Sequence, residues 1–546
     1  MQKQNSDVKE EKTRFSRMKF FLKEFIPEKK DIALSIISSL LLLFAFPDFN
    51  FWFLAWCAFV PLLIAVSRNS SSHKKAFFLG WIFGSIFFFG SCYWLTYAMI
   101  NYGKIPTVIA YGMLLPASCF MGTFAGTFSL TLHYSIKRFG LKLLFVAPFA
   151  WIALEWLRLQ ITGHLWNAVG YSQAFVPQLI QTAWIGGVYS VSFLIVLVNT
   201  AIAYAVIEKK KDAFITSFVL LFVCALIIGW TTWLGLAQRI DPPHTEAVVI
   251  ALQPNVPMDS LSVEDMKDLF NRHVVLSETA LKEFEESLGG KNFNDTNINT
   301  PRLVIFPESP MLFTYSRDTK LREDLAEFTK RNRVSLIINS LEPAPNDGDA
   351  NSALLINEKG ELAARYDKIY LMPFGEYVPV PRWIPGAKYI PSMVGDFTAG
   401  EDYKLFPVGN LKAGIFICFE SAFPQHTRKF TNEGADLLIE ITNDGYLGPT
   451  PVLKQHLANA VFRAVETNRP VVRVTNAGIT AFITKHGEVK DATNAFEVTR
   501  RTWSVYKTNG QTFYTRYGDV FAVGCLLITV LCLIVSFLKI RRQVTN

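Results

Sequence analysis

Two kinds of hydrophobic pattern divide this chain. Apolar runs long enough to approach or cross the ~30 Å hydrocarbon core of a bilayer occupy roughly 31–47, 51–67, 76–100, 106–132, 143–158, 178–207 and 213–236. An eighth covers roughly 517–538. The first and fifth are short, and Pro47 between the first two predicts a tight hairpin. From about 237 to 516 the pattern changes to short strand-like runs and amphipathic stretches. Strands are predicted at 247–252, 303–306, 335–339, 353–357, 362–366, 412–418, 437–442, 471–475 and 481–484, and helices at 263–286, 320–332 and 452–467. A polar Gly- and Asn-rich segment, 289–300, reads as a loop, and the Pro- and aromatic-rich stretch 372–407 has little periodicity. Alternating strands and helices with hairpins imply a layered α/β sandwich. The predicted organisation is a tail (1–30), a membrane domain of about seven helices (31–236), the α/β domain (237–516), a C-terminal membrane helix (517–538) and a second tail (539–546).

Composition agrees: 50% hydrophobic residues, 46 phenylalanines and a mean hydropathy of +0.24 fit a membrane protein with one polar domain. The formal net charge of +8 would fit nucleic-acid binding, but the position of the basic residues argues against it. With the N-terminus inside, the inner loops carry Arg68, Lys74 and Lys75, then Lys137, Arg138 and Lys142, then Lys209, Lys210 and Lys211. The C-terminal tail adds Lys539, Arg541 and Arg542, while the outer loops hold little beyond Lys104 and Arg158. This satisfies the positive-inside rule, puts both termini in the cytoplasm and places the polar domain on the outer face. Residues 1–30 lack a small-residue cleavage site and read as a cytoplasmic tail, not a signal peptide. No Walker loop, dinucleotide fingerprint or zinc-type cluster occurs. His164, His273, His426, His456 and His486 are scattered and read as surface or structural groups, so neither cofactor nor metal is expected. The loop 162–173 mixes aromatics with Gly and amides. It is either a re-entrant lip facing the polar domain or an ordinary interfacial Trp/Tyr anchor.

Candidate chemistry begins with cysteine. Cys57, Cys92, Cys119, Cys224, Cys525 and Cys532 lie in apolar runs; Cys418 alone lies in the polar domain. It ends a β-branched and aromatic run, with Glu420 two residues later and Pro424 beyond, which predicts a strand delivering a thiol where strand gives way to turn. Such a thiol is either a core cysteine or a nucleophile. Glu308 follows a strand in Phe-Pro-Glu-Ser-Pro, and Lys368 lies between aromatics in Tyr-Asp-Lys-Ile-Tyr. Alone, each reads as a solvated loop carboxylate or a surface lysine. Together they make a workable acyl-transfer site: a carboxylate takes the thiol proton and an ammonium stabilises the oxyanion. Spacing does not show that the three converge.

Phe-Pro-Glu308, Tyr-Asp-Lys368 and Ile-Cys418-Phe419-Glu420 resemble the glutamate–lysine–cysteine signature of the nitrilase (carbon–nitrogen hydrolase) superfamily. With the membrane spans, the chain resembles the apolipoprotein N-acyltransferase family. The segment from Lys368 to Glu376-Tyr377-Val-Pro, the blocks Asn443-Asp444-Gly-Tyr446, Gln455-His456, Arg463-Ala-Val-Glu466 and Arg469 to Thr480, and Gly170-Tyr-Ser-Gln173 are similar to that family's motifs. The resemblance implies a polytopic helical membrane domain of about eight spans joined to an αββα nitrilase-like sandwich. It implies that Glu308 deprotonates Cys418, that Lys368 stabilises the tetrahedral intermediate, and that Glu376, Glu420, Phe419 and Asn351 support them. Implied partners are a membrane phospholipid as acyl donor, typically phosphatidylethanolamine, and the free α-amino group of a diacylglyceryl-cysteine at an apolipoprotein N-terminus as acceptor. The implied location is a bacterial inner membrane with the catalytic domain in the periplasm. A membrane-tethered amidase with the same triad, and a non-catalytic lipoprotein-binding protein, are the alternatives. Trp166, Phe374, Tyr377 and Trp383 are candidate substrate contacts; the aromatic stretch holding the last three is a lid or a packed loop. Phe419 stands where many relatives have tyrosine.

Overall fold

The computed structural model of the chain describes residues 26–47, 49–69, 72–237, 245–258, 261–287, 300–308, 313–345, 348–378 and 395–544. The predicted Trp383, and Tyr389 in the same stretch, lie outside the described residues. Among the described residues the membrane half begins with α1 (Lys29–Ala45) and α2 (Val60–Arg68), joined through the turn Trp52–Trp56. There follow α3 (His73–Ser91), α4 (Leu95–Asn101), α5 (Thr107–Phe139), α6 (Ala147–Thr162), the short α7 (Pro177–Ile180) and α8 (Ala183–Gly186), α9 (Val188–Glu208) and α10 (Lys211–Ala237).

The α/β domain carries α11 (Val263–Ser287), α12 (Thr319–Asn332), α13 (Pro424–Asn432) and α14 (Val452–Thr467). Then α15 (Phe513–Tyr517) leads into α16 (Val520–Val544). By length and hydropathy, α5, Leu141–Thr162, α9, most of α10 and α16 are full spans, and α3 with α4, bent by 49°, makes a sixth. The first two predicted runs form shorter apolar helices, so the eight runs are present in order but not all are full-length spans. Large apolar side chains such as Phe218, Trp230, Leu527 and Leu531 are exposed on α10 and α16, as a lipid-facing surface requires.

One boundary is corrected. The sixth run was expected to start near 178, but α9 starts at Val188. Gly187 has φ +63°, and a Cβ added there would come within 2.8 Å of the Tyr514 ring. A glycine-permitted turn therefore breaks the apolar run where the chain passes under α15.

Among the described residues, twelve strands form two six-stranded sheets, ordered β12-β1-β2-β3-β4-β5 and β11-β10-β9-β8-β7-β6. In the first, β1 (Ala247–Gln253), β2 (Arg302–Ile305) and β3 (Ser335–Pro343) are parallel. Antiparallel neighbours flank them: β4 (Asp349–Ile356), β5 (Leu362–Asp367) and β12 (Thr499–Val505). In the second, β7 (Leu411–Ile417), β8 (Leu437–Thr442) and β9 (Val471–Thr475) are parallel, with β6 (Leu405–Val408), β10 (Ala481–Ile483) and β11 (Val489–Lys490) at the edges.

Side-chain alternation explains the layering. Leu303, Ile305 and Ile337 pack in one core with Ile415, Ile439 and Val472 of the other sheet, whereas Val304, Leu336 and Ile338 pack with Leu276, Leu325 and Phe328 of α11 and α12. Strands buried on both faces read as unbroken apolar runs, as these do. The second sheet's outer face is covered by α13 and α14, completing an αββα sandwich. Apart from Lys454, every residue of α14 is buried, because the helix lies between that sheet and the membrane half.

Candidate active site

Three strand ends deliver the predicted chemical groups. Glu308 lies three residues beyond β2, Lys368 directly follows β5, and Cys418 directly follows β7 of the facing sheet. Cys418 has φ +55°, a left-handed conformation uncommon for a non-glycine residue, so the chain turns sharply into the 3-10 segment Cys418–Ala422. A single strained residue where strand meets helix projects its side chain out of the sheet.

The groups do converge. Lys368 is buried, 1% exposed, with Nζ 2.9 Å from Glu376 and 3.8 Å from Glu308. Asn351 bridges the two acids: its amide nitrogen donates to Glu308 Oε1 at 2.9 Å and to Glu376 Oε1 at 2.8 Å. Asn339 donates to the Asn351 carbonyl oxygen at 2.7 Å, which fixes the amide's orientation. The Asn443 N–H donates to the other Glu308 oxygen at 3.1 Å, and the Met372 N–H to Glu376 at 2.8 Å. The Cys418 thiol is within hydrogen-bond reach of Glu308 and of Thr442.

Electrostatics follow from this packing. Burial raises the Glu308 pKa, against the pull of the Lys368 ammonium. Burial and the Glu308 charge hold the Cys418 thiol well above its ordinary range, so the resting sulfur is protonated. Burial opposes the charge on Lys368, but Glu376 and Glu308 outweigh it and its pKa is raised.

Glu420 has a different place. It accepts from the Ile417 N–H (2.7 Å) before the cysteine, and from Ile369 (2.7 Å) and Tyr370 (3.0 Å) after the lysine. Tyr366 Oη donates to it at 2.7 Å, and His426 lies 3.4 Å away. Although burial works to raise its pKa, His426 and these N–H groups hold it below the ordinary carboxylate value. One carboxylate thus pins the cysteine turn to the lysine segment.

The membrane half reaches the site through the 162–173 loop, which packs against the α/β domain; the purely interfacial-anchor reading is overturned. The Trp166 ring stacks on Phe419, with centroids 6.0 Å apart, and its Nε1–H donates to Gln455 of α14 at 3.0 Å. Trp94 donates to the same Gln455 oxygen at 3.1 Å, and the Gln455 amide donates to the Ser91 carbonyl at 3.0 Å. Further along, Arg463 pairs with Glu466 at 2.8 Å and donates to Tyr171 Oη at 3.1 Å, while Glu466 accepts from the Val188 N–H at 2.9 Å. Phe374 and Tyr377 lie in the turn that holds Glu376 but are 47% and 36% exposed.

Other residues of this region escaped the sequence reading. Asn339 and Trp94 lie in no motif, whereas Tyr366 and Gln455 lie in the Tyr-Asp-Lys368 and Gln455-His456 motifs without a role in the site being assigned to them. Of the histidines expected to be surface or structural groups, His273, His426, His456 and His486 are buried and His164 is half-buried, so the structural alternative holds for four of the five.

Comparison with known proteins agrees with this geometry. The family model described as "Apolipoprotein N-acyltransferase N-terminal domain" matches residues 38–201, and "Carbon-nitrogen hydrolase" matches 299–505. An apolipoprotein N-acyltransferase of Geobacter metallireducens is 31% identical over 91% of this chain and 94% of its own. Those of Treponema denticola (26%, covering 95% and 99%) and Thermotoga maritima (28%, covering 93% and 94%) align over similar lengths. With membrane helices and a nitrilase-like sandwich in one chain, matched nearly end to end by such a relative, the chain belongs to the apolipoprotein N-acyltransferase family.

Proposed function

We propose that the chain moves an acyl group from a membrane phospholipid, phosphatidylethanolamine being the expected donor, through a thioester on Cys418 to the α-amino group of an N-terminal diacylglyceryl-cysteine. Family membership makes it an acyltransferase that N-acylates lipoproteins. The observation that carries the residue-level chemistry is the convergence of Glu308, buried Lys368 and Cys418 in one site beside Trp166 of the membrane half.

In the first half-reaction Glu308 takes the Cys418 proton, and the thiolate attacks the ester carbonyl carbon. Negative charge then grows on the carbonyl oxygen, where the Lys368 ammonium and the Phe419 N–H stabilise it. The ester C–O bond breaks, and the lysophospholipid oxygen leaves with the proton held on Glu308. In the second half-reaction the acceptor amine attacks the thioester carbon and gives its proton to Glu308. The C–S bond then breaks, and the departing thiolate recovers that proton. A base with a raised pKa beside the half-buried thiol narrows the gap this proton must cross. Asn351 and Glu376 hold the lysine in place, and Glu420 holds the cysteine turn. Phe374 and Tyr377, exposed near Glu376, remain candidates for substrate contact.

Both substrates carry chains whose transfer to water costs about 0.8 kcal/mol per CH₂. A site held against the bilayer need not extract them. The basic residues at the ends of α2, α5 and α9 support an orientation with those ends cytoplasmic. The α/β domain then faces the periplasm and the membrane is the inner one.

The test uses full-length enzyme in mixed micelles with phosphatidylethanolamine and a synthetic diacylglyceryl-cysteine peptide. N-acyl peptide and lysophospholipid should appear in equal amounts. Free fatty acid in place of acyl-peptide would turn the reading to an amidase-like hydrolase.

A further inference from the structure

Beneath the cysteine turn lies a second buried charged cluster that the chemistry above does not use. It joins Glu440 of β8, Asp444 of the turn after β8, His456 of α14 and Arg473 of β9. Arg473 lies 2.5 Å from Glu440 and 2.7 Å from Asp444. His456 Nδ1 is 2.7 Å from Asp444 Oδ1. Its Nε2 is 3.0 Å from the Cys418 carbonyl oxygen and 3.2 Å from Glu440.

The oxygens set against this ring are all acceptors. At these distances a ring nitrogen without a proton would point a lone pair at an oxygen lone pair, so both nitrogens carry hydrogen and the ring is an imidazolium. The Arg473 Nη2 atom also lies 3.2 Å from Nδ1, but the Asp444 carboxylate is the nearer partner of both, 2.7 Å from Nδ1 and 2.7 Å from Nη2. The Trp166 ring, 5.7 Å away, closes the membrane side. With His456 charged, two carboxylates face two cations, and the cluster is neutral.

The Cys418 carbonyl belongs to the same peptide group as the Phe419 N–H. A cationic donor on that oxygen withdraws electron density through the amide and makes the N–H a stronger donor; it also prevents the peptide from rotating. We propose that His456 is a positioning residue of the acyl transfer, its imidazolium orienting and polarising the Cys418–Phe419 peptide whose N–H meets the oxyanion. This rests on the reading of Cys418 as the nucleophile. The two acids raise the His456 pKa to about 9 despite burial and Arg473, so the ring stays charged at neutral pH.

The test compares two reactions of one sulfur in the full-length enzyme. Single-turnover acylation by radiolabelled phosphatidylethanolamine passes through an oxyanion; alkylation by iodoacetamide displaces iodide and forms none. His456→Gln should lower the acylation rate about 30-fold, a part of the 10²–10³-fold that loss of a whole oxyanion donor costs, with alkylation of Cys418 within about 3-fold of wild type. Wild-type acylation should fall above about pH 9 and level off about 30-fold lower, while alkylation does not fall. That limb decides the matter if His456→Gln fails to fold. Equal loss of both reactions in a folded His456→Gln, unchanged acylation, or a flat wild-type acylation profile through that range would overturn the proposal. Absence of any acyl label on wild-type Cys418 would instead remove the reading beneath it.

Discussion

Two buried charged groups lie side by side around the cysteine turn, and they are built differently. In the first, Glu308 and Glu376 face one ammonium, Lys368, beside a thiol. In the second, Glu440 and Asp444 face Arg473 and the His456 imidazolium. Glu308 of the first group and the two acids of the second move in opposite directions. Against burial, Arg473 and His456 hold Glu440 below its ordinary value and Asp444 down to about 2. Burial pushes Glu308 up, and the single Lys368 ammonium, shared with Glu376, does not offset it. A balanced cluster supports, whereas an acid-rich one keeps a carboxylate that accepts a proton readily. The same ingredients, differing by one cation, give a neutral cluster in one place and, in the proposed reaction, a base in the other.

The sharpest break is expected at the sulfur. Cys418→Ala should abolish acyl transfer, a loss of at least about 10⁴-fold in kcat, measured as N-acyl peptide formed. Glu308→Gln keeps the shape and removes the base, so a loss of about 10³-fold is expected with the protein still folded. In the wild type the acid limb of kcat should fall as Glu308 gains a proton, at a pH above the ordinary carboxylate value of 4.5 because its pKa is raised.

Arg473→Met tests the contrast through stability. It leaves two buried carboxylates opposed by one cation, and should destabilise the fold by about 3–5 kcal/mol in thermal or denaturant unfolding. Equal tolerance of Arg473→Met and of a surface arginine change would dissolve the distinction.

The balanced cluster should also set a pH window for stability. Asp444 is depressed from 3.8 to about 2, so its contribution is complete above 3.8 and is lost as pH falls toward 2. His456 is raised from 6.5 to about 9, so its contribution is complete below 6.5 and is lost as pH rises through 9. Melting temperatures should therefore peak between those limits and decline on both sides. The smallest effect belongs to Phe419→Tyr. The ring's contact with Trp166 survives a hydroxyl at the para position, and activity should stay within about 3-fold.

Much of this arrangement was legible in residue pattern. The 437–442, 452–467 and 471–475 elements appear where apolar spacing put them, because β-branched runs and a continuous amphipathic helix leave little choice. β12 was missed: Arg500 and Arg501 interrupt its alternation, and it is a strand because it pairs with β1 at the sheet edge. β6 was hidden in the Pro- and aromatic-rich stretch for a similar reason, since pairing with β7 defines it. Glu308, Lys368 and Cys418 stood out by residue type and strand-end position, but their convergence is a tertiary fact carried by two facing sheets. The place of His456 is not legible in its motif because sequence distance hides its partners: Glu440, Asp444 and Arg473 come from two strands and a turn.

The central claim is that Cys418 carries the acyl group. Its most direct test is the intact mass of the purified full-length enzyme after incubation with phosphatidylethanolamine and no acceptor. A gain equal to one acyl chain, located to Cys418, removed by hydroxylamine and discharged by the diacylglyceryl-cysteine peptide, is the predicted result. Continued transfer to the peptide with no adduct on Cys418 at any time, or with Cys418→Ala still active, would contradict it.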